Sequence, residues 1–179
     1  MRRNNRILFN RLNRNRVIIP HVSKPSNIVY GARSIAAQVG ILSRPTEDWD
    51  VFSGNPKKDA VELQRKLDKQ IGFDYFYNKP GFHKGTHKVK SIGFDMKKDT
   101  KDDESIADFT QMPKPIPRNK LINNVRYRIL REEIAAKKKA IADPDYAFRK
   151  EKDSGDLRRI ETIQRAGNLK VNVNKLRIN

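Results

Sequence analysis

Two short segments that carry aspartates place the strongest constraint on the fold of this chain. Asp48 and Asp50 lie in residues 46–52, and Asp108 lies in residues 106–110. Apolar and polar residues alternate in both segments, which predicts two β-strands. Side chains two positions apart on a strand share a face, so Asp48 and Asp50 are expected to point the same way. If the strand of Asp108 is their neighbour, three carboxylates converge.

Converging carboxylates need a cation among them. Like charges held close together repel each other, and a bound cation relieves that repulsion. Carboxylate oxygens are hard ligands, which suit Mg²⁺ or Mn²⁺ and the phosphate chemistry that these ions support. Asp48, Asp50 and Asp108 are therefore the candidate metal ligands and catalytic residues.

Length and composition predict one packed domain with charged appendages. The chain has 179 residues, of which 36% are hydrophobic and 34% charged, enough for a single core. It has no cysteine, so disulfides and thiolate zinc sites are excluded. We expect the cytoplasm or another reducing interior, a virion included. No apolar run approaches the roughly 20 residues that span a membrane, and we expect no membrane insertion and no secretory signal.

The positive charge is concentrated at the N-terminus. The net charge is +18, and the first 46 residues hold nine basic residues and no acidic one. We interpret residues 1–26 as a basic arm with one amphipathic turn that binds RNA or DNA; a solvated terminus is the alternative. Arginine favours bidentate phosphate contacts. The predicted nucleic-acid contacts are Arg2, Arg3, Arg6, Arg11, Arg14 and Arg16.

A glycine stands between a predicted strand and a predicted helix. Residues 27–30 read as a short buried strand, and residues 32–39 read as a helix, which makes Gly31 the turn between them. Backbone N–H groups and the helix dipole at such a turn can hold a triphosphate. Arg33 and Ser34 could add side-chain contacts. A glycine that serves only the turn is the alternative interpretation.

Downstream of the aspartate segment, periodicity predicts a helix over residues 58–70 and strands over residues 73–77 and 86–92. Lys88 and Lys90 share one face of the second strand. They could meet phosphates, and a solvated strand face explains them equally well. Lys88 is retained as a candidate nucleotide ligand.

Two features divide the second half of the chain. Residues 95–104 are charged and almost without apolar residues, which predicts an exposed, mobile connection. Three prolines within residues 112–117 exclude helix and central strand, so we expect the sheet to end there. The predicted organisation is a basic arm over 1–26, a core over 27–118, C-terminal helices over 119–166 and a basic tail over 167–179.

The C-terminal part is predicted to be helical. Apolar spacing predicts helices over residues 125–142 and 145–166, followed by an edge strand or an extended tail from residue 168. The second helix begins with a dense run of charges. Among them, Lys152 is the basic residue that we expect to reach the carboxylates and bind nucleotide.

This order of elements resembles the DNA polymerase β-like nucleotidyltransferase superfamily, specifically its small members. The order is glycine turn, helix, Asp-x-Asp strand, helix, strands, single-Asp strand and C-terminal helices. The resemblance covers residues 27–160. The residues that carry it are Tyr30-Gly31-Ala32-Arg33-Ser34, Arg44-Pro45-Thr46-Glu47-Asp48-Trp49-Asp50-Val51, Ile106-Ala107-Asp108-Phe109 and the helical stretch 148–157.

The resemblance implies a fold and a set of roles. The implied fold is α+β, with a small mixed sheet that carries the aspartate strands, packed with helices and followed by a C-terminal helical pair. Gly31 with Ser34 would hold the nucleoside triphosphate. Asp48 and Asp50 would bind two Mg²⁺ or Mn²⁺ ions, and Asp108 would bind one of them and help to activate the attacking hydroxyl. Ala32 departs from the family pattern, because the second small residue of the turn is usually Gly or Ser.

Two functions from different classes remain open at this stage. The favoured one is an enzyme, a metal-dependent transferase that moves a nucleoside monophosphate from an NTP to a hydroxyl, with a nucleic-acid 3′ end as the favoured acceptor. The alternative is a non-catalytic, basic structural or nucleic-acid-binding component of a virion or ribonucleoprotein. Such a component would retain the nucleotidyltransferase fold and lie within a larger assembly.

Overall fold

The computed structural model describes the backbone of residues 3–40, 48–93 and 95–176 and the side chains of residues 13–40, 48–93 and 95–166. Within these ranges the chain forms one seven-stranded sheet and five α-helices. The strands are β1 (Ile28–Tyr30), β2 (Trp49–Ser53), β3 (Phe76–Pro80), β4 (Thr86–Ser91), β5 (Glu104–Gln111), β6 (Asn119–Ile122) and β7 (Val125–Arg128). The helices are α1 (Arg3–Val22), α2 (Gly31–Val39), α3 (Pro56–Ile71), α4 (Leu130–Ala142) and α5 (Lys150–Leu176), with a 3₁₀ helix over Pro144–Arg149.

The sheet is mixed, with the strand order β3-β4-β5-β2-β1-β7-β6. Strand β2 runs parallel to β5, and β1 runs parallel to β7, whereas the other neighbours are antiparallel. The predicted α+β class with a small mixed sheet is therefore confirmed, as is the C-terminal helical pair, formed by α4 and α5. The aspartate strands are neighbours near the centre of the sheet.

Helix α3 packs on the sheet and encloses much of the hydrophobic core. It starts at Asn55, whose side chain accepts a backbone N–H at 3.2 Å, and Pro56 occupies the first turn. Gly72 ends the helix with a left-handed φ of 84°. Leu63 and Leu67 are fully buried, and each contributes ~2 kcal/mol through burial. They pack in a cluster that includes Ile18, Val22, Val29, Trp49, Val51, Ala60, Phe76, Val89, Ile106, Ala107, Phe109 and Val125.

The N-terminal segment differs from the arm with one amphipathic turn that the sequence suggested. Helix α1 runs for 20 residues, and its last turns belong to the fold. Ile18 and Val22 lie one helical turn apart and enter the core, and His21 between them is completely buried. The packed body therefore begins inside α1 rather than at residue 27, because one face of this basic helix is apolar.

Residues 119–128 correct the helix predicted from residue 125. They form the hairpin of β6 and β7, and β7 joins the sheet beside β1, so α4 begins only at Leu130. Asn123 and Asn124 make the two-residue turn, with φ values of 48° and 65°. Asparagine tolerates this left-handed backbone, which matches the twist of a tight hairpin. At the other end, α5 continues to Leu176, where an edge strand or an extended tail was predicted.

The connection over residues 95–104 is more ordered than its composition suggested. Asp103 is buried within it and accepts hydrogen bonds from the Tyr77 hydroxyl and from the amides of Gly93 and Thr100. Burial alone would raise the pKa of Asp103, but these hydrogen bonds outweigh it and lower the pKa to about 2. The carboxylate thus ties the connection to strand β3.

Candidate active site

Asp50 and Asp108 lie directly opposite each other on the two parallel central strands. They are register partners in the β2–β5 pair, and Asp48 lies immediately before β2. In β2 the residues on either side of Asp50, Trp49 and Val51, are buried in the core, so the Asp50 carboxylate projects from the opposite face. The predicted neighbouring strand is confirmed. The first residues of the predicted aspartate strand, 46 and 47, lie outside the described residues.

The three carboxylates influence one another electrostatically. The pKa of Asp50 is raised to about 7. Burial is the largest cause, and the negative charges of Asp48 and Asp108 raise the pKa further. A group of carboxylate oxygens whose negative charges disfavour one another fits a hard divalent ion such as Mg²⁺ or Mn²⁺.

Gly31 allows the Asp50 carboxylate to approach the turn before α2. Its φ of 72° is in the left-handed region, and a Cβ built on it would lie 2.5 Å from Asp50 Oδ2. The Gly31 amide, which sequence reasoning assigned to a triphosphate, donates to Glu133 Oε1 at 3.0 Å. Glu133 is buried and accepts two hydrogen bonds from the Arg128 guanidinium, at 2.9 and 2.7 Å. A carboxylate thus sits at the anion-binding end of α2.

Lys88 contacts the third carboxylate. Strand β4 places Lys88 opposite Asp108, and its Nζ lies 2.6 Å from Asp108 Oδ2. The Ser105 hydroxyl donates to Asp108 Oδ1 at 3.2 Å. Lys88 is thus at the site, as the sequence suggested, and its partner in this structure is a carboxylate.

Two basic residues from the C-terminal part of the chain act electrostatically on Asp50. Burial and neighbouring carboxylates raise the pKa of Asp50, and the positive charges of Arg149 and Lys152 oppose that rise. Lys152 was predicted from the charged run. Arg149 was not predicted, although it lies in the same run. It forms an ion pair with Asp153, four residues later, with 3.6 Å between Arg149 Nε and Asp153 Oδ2.

An aromatic and hydroxyl layer that sequence reasoning missed lies beside the carboxylates. Tyr30 is the register partner of Asp50, and its ring stacks on Phe52 with centroids 3.9 Å apart. Its hydroxyl lies 3.2 Å from Thr110 Oγ1, which lies 3.1 Å from Thr86 Oγ1. These contacts connect four strands across the sheet and fix the strands that carry the aspartates.

Comparison with known proteins identifies the fold. No protein-family model matches the sequence, and no curated protein matches it. The solved structure of the Megavirus polyadenylate synthase is similar, with a TM-score of 0.59 and 16% identity, over 75% of this chain and 27% of that chain. The chain has the DNA polymerase β-like nucleotidyltransferase fold. A further match is JHP933 from Helicobacter pylori, with a TM-score of 0.49 and 15% identity, over 77% of this chain and 58% of that chain.

Within this nucleotidyltransferase fold, Arg33 and Ser34 support the structure around the aspartates. Arg33 Nε donates to the Asp48 carbonyl at 2.7 Å, and its guanidinium lies 4.2 Å from the centre of the Trp49 ring. The Ser34 side chain is fully buried and donates to the Arg128 carbonyl at 2.6 Å. Ser34 thus joins α2 to β7 through a hydrogen bond to the backbone.

The arginines of the predicted arm divide into two groups. The side chains of Arg2, Arg3, Arg6 and Arg11 lie outside the described residues. Arg16 is exposed, whereas Arg14 Nη1 pairs with Glu104 Oε2 at 2.8 Å. Arg14 therefore helps to dock α1 on the edge of β5.

A second group of potential metal ligands, His21, Asp59 and Glu62, lies where the end of α1 meets α3. Each of the three residues offers one ligand atom, and these three atoms lie within 4.8 Å of one another. Lys24 Nζ already lies 2.6 Å from Asp59 Oδ1 and 2.7 Å from Glu62 Oε2. The lysine ammonium is thus the cation of this group, which ties the end of α1 to α3.

No helix in the described ranges has both the length and the apolar character needed to cross a bilayer.

Proposed function

We propose that this protein transfers a nucleoside monophosphate from an NTP to a hydroxyl acceptor, with Mg²⁺ or Mn²⁺ held by Asp48, Asp50 and Asp108. The observation that carries this proposal is the register of Asp50 against Asp108 within a nucleotidyltransferase fold. Carboxylates on adjacent central strands are the donors that such chemistry requires. The charges of Arg149 and Lys152 near Asp50 add a position for the triphosphate.

In the proposed reaction, the acceptor oxygen forms a bond to the α-phosphorus and the bond from that phosphorus to the β-bridging oxygen breaks. Pyrophosphate leaves, and the hydroxyl proton passes to the nearby carboxylates or to solvent. When bound by the carboxylates, a divalent ion would stabilise the negative charge that develops on the acceptor oxygen and on the leaving pyrophosphate.

This chain's own residues orient the reactants. Gly31 lets Asp50 approach the turn, because a side chain there would collide with the carboxylate. Lys88 fixes Asp108 and carries a positive charge that a phosphate oxygen can share. The positive charges of Arg149 and Lys152 act on Asp50 and would favour an anionic substrate there.

A nucleic-acid 3′ end is the acceptor that the charge favours. The net charge of +18 suits a polyanionic substrate. The similar Megavirus protein is a polyadenylate synthase, and the present chain spans only 27% of its length. RNA or DNA is therefore proposed as the acceptor, and an NTP as the donor.

A transfer assay tests the proposal. The protein is incubated with Mg²⁺ or Mn²⁺, each labelled NTP in turn, and single-stranded RNA and DNA oligonucleotides. The comparison is with an Asp48→Ala, Asp50→Ala double variant and with Asp74→Ala, which removes an exposed aspartate. We expect transfer by the wild type and by Asp74→Ala only. Oligonucleotide binding without transfer, unchanged in the double variant, would overturn the proposal in favour of the structural alternative.

A further inference from the structure

Four aromatic side chains form a row on the surface beside the active site. Phe82 and His83 lie in the loop between β3 and β4, and Tyr146 and Phe148 lie in the 3₁₀ helix before α5. The centroids of His83 and Tyr146 are 6.1 Å apart with ring planes at 28°, and those of Tyr146 and Phe148 are 6.3 Å apart at 31°. Phe82 meets His83 edge-on at 5.2 Å. We call these four residues the aromatic row.

The row is open to solvent. Phe82 is 95% exposed and Phe148 is 81% exposed, so these two rings lie almost entirely in water. A contiguous patch of exposed apolar rings on a folded domain often marks a binding surface. The exposed rings and the near-parallel planes of His83, Tyr146 and Phe148 make the row a surface on which flat partners can stack.

The loop that carries half of the row is fixed in shape. The Gly81 amide donates to the Thr86 carbonyl at 2.8 Å, and the Thr86 amide donates to the His83 carbonyl at 3.1 Å. Gly85 adopts a left-handed φ of 81°, and its carbonyl accepts from the Gln111 amide at 2.9 Å. Phe82 and His83 are therefore presented by a rigid loop, which lowers the entropy cost of binding.

Positive charge surrounds the row and connects it to the active site. Lys84 follows His83, and Arg149 and Lys150 follow Phe148, all with exposed side chains. Arg149 acts electrostatically on Asp50, and Lys88, on the strand that leaves the loop, pairs with Asp108. The two halves of the row are thus followed in the chain by residues that interact with Asp50 and Asp108.

We propose that the aromatic row is a stacking platform for the bases of single-stranded nucleic acid, and that it leads the 3′ end of the strand to Asp108. Base stacking on exposed rings together with flanking cations is the general way in which proteins hold unpaired nucleic acid. The identity of the strand as acceptor rests on the proposed function; binding of the strand does not. A duplex offers no free base faces and binds this platform poorly.

The test is binding of a fluorescent single-stranded oligonucleotide, measured in the Asp48→Ala, Asp50→Ala background so that no turnover occurs. Phe82→Ala with Phe148→Ala is compared with Phe73→Ala, which removes another exposed phenylalanine. Stacking is worth about 1–3 kcal/mol per base, so we expect the double ring variant, which loses two stacking contacts, to bind at least about 30-fold more weakly. The Phe73→Ala variant should bind like its parent.

An oligonucleotide with abasic positions separates stacking from charge. We expect the parent protein to lose affinity for the abasic strand and the double ring variant to bind both strands alike, because each change removes the same contact. The slope of log K against log salt should be the same in both proteins, since the phosphate contacts remain. Phe148→Trp should preserve binding, and its fluorescence should be quenched by the strand.

Three results would overturn the platform. One is unchanged affinity in the double ring variant, and another is a variant that still distinguishes the abasic strand. The third is a dimer that the ring changes dissociate, which would make the row a contact between two copies of this chain. Failure of transfer by the wild type, with ring-dependent binding intact, would instead count against the proposed function alone.

Discussion

Asp50 on β2 and Asp108 on β5 are opposed in a parallel register, so that two carboxylates face each other across adjacent central strands. Burial, together with the charges of Asp48 and Asp108, raises the pKa of Asp50 to about 7. The fold therefore brings together carboxylates whose charges disfavour one another, and Lys88 neutralises part of that charge at Asp108. Arrangements of this kind are typical of functional sites.

Replacing Gly31 with alanine should impair nucleotide transfer more than it impairs the stability of the fold. The new Cβ would stand 2.5 Å from Asp50 Oδ2 and would also impose a strained backbone, so we expect the free energy of unfolding to fall by about 1 kcal/mol or more. Nucleotide transfer should fall much further than stability does. Urea unfolding and the transfer assay measure the two effects.

The matched control is Gly72→Ala, because Gly72 has a φ of 84° and a Cβ built on it would meet no atom within 4 Å. It should show a similar loss of stability with transfer retained. If Gly31→Ala transferred nucleotide as well as Gly72→Ala did, the contact between the turn and Asp50 would have no role in catalysis.

A buried ion cluster should lock the C-terminal helices together. Lys137 on α4 lies 2.6 Å from Asp153 Oδ1 and 2.9 Å from Asp156 Oδ2 on α5, and all three side chains are almost fully buried. Lys137→Met leaves two buried carboxylates without their lysine, so we expect a loss of about 3 kcal/mol in the free energy of unfolding. The control Lys138→Met replaces the exposed neighbouring lysine. It should change the free energy of unfolding by less than about 0.5 kcal/mol.

Chemical denaturation of both variants at one pH decides this prediction. A Lys137→Met protein as stable as Lys138→Met would show that the cluster contributes nothing to the packing of α4 against α5. Because α5 also carries Lys152, a loosened pair should reduce transfer as well.

Acid should destabilise the protein through His21. Burial first, and then the charges of Lys24 and Lys66, lower the pKa of His21 to about 4, while its Nε2–H donates to the Asp59 carbonyl. The unfolded chain, with a pKa near 6.5, takes up the proton first. The contribution of His21 to the free energy of unfolding is thus fully present above about pH 6.5. It is lost as the pH falls towards 4, and the total loss is about 3 kcal/mol.

The comparison is with His21→Gln, which has no ring to protonate. Its unfolding free energy should fall less between pH 6.5 and 4 than that of the wild type. Parallel pH profiles for the two proteins would show that His21 takes up its proton equally well in the folded state.

The features that the sequence predicted correctly have local signals. Alternation revealed β2 and β5, and the Asn-Pro start with a glycine end revealed α3. The position of Gly31 between a strand and a helix revealed the turn that contacts Asp50. In each case the pattern of a few consecutive residues determines the structure.

The features that were missed depend on partners distant in the sequence. Strands β6 and β7 have four residues each, too short for a clear period, and their Asn-Asn turn lacks the usual glycine. Asp103 looks like one more charge in a solvated run until Tyr77 from β3 meets it. The aromatic row exists only because the β3–β4 loop and the 3₁₀ helix meet in the fold.

The basic helix α1 shows a third kind of limit. Its many charges favoured an arm outside the body, but burial of Ile18 and Val22 on one face is enough to dock it. Average composition thus concealed a short apolar stripe.

The most direct test of the central claim is a measurement of Mn²⁺ binding with and without NTP. The free ion is quantified by its electron paramagnetic resonance signal. The proteins are the wild type, Asp50→Asn, and Glu62→Gln, which alters the lysine-filled group on α3. We expect the wild type and Glu62→Gln to bind Mn²⁺ alike, more tightly with NTP, and Asp50→Asn to bind about tenfold more weakly or worse. Equal binding by the wild type and Asp50→Asn, or loss of binding only in Glu62→Gln, would contradict a metal site at Asp48, Asp50 and Asp108.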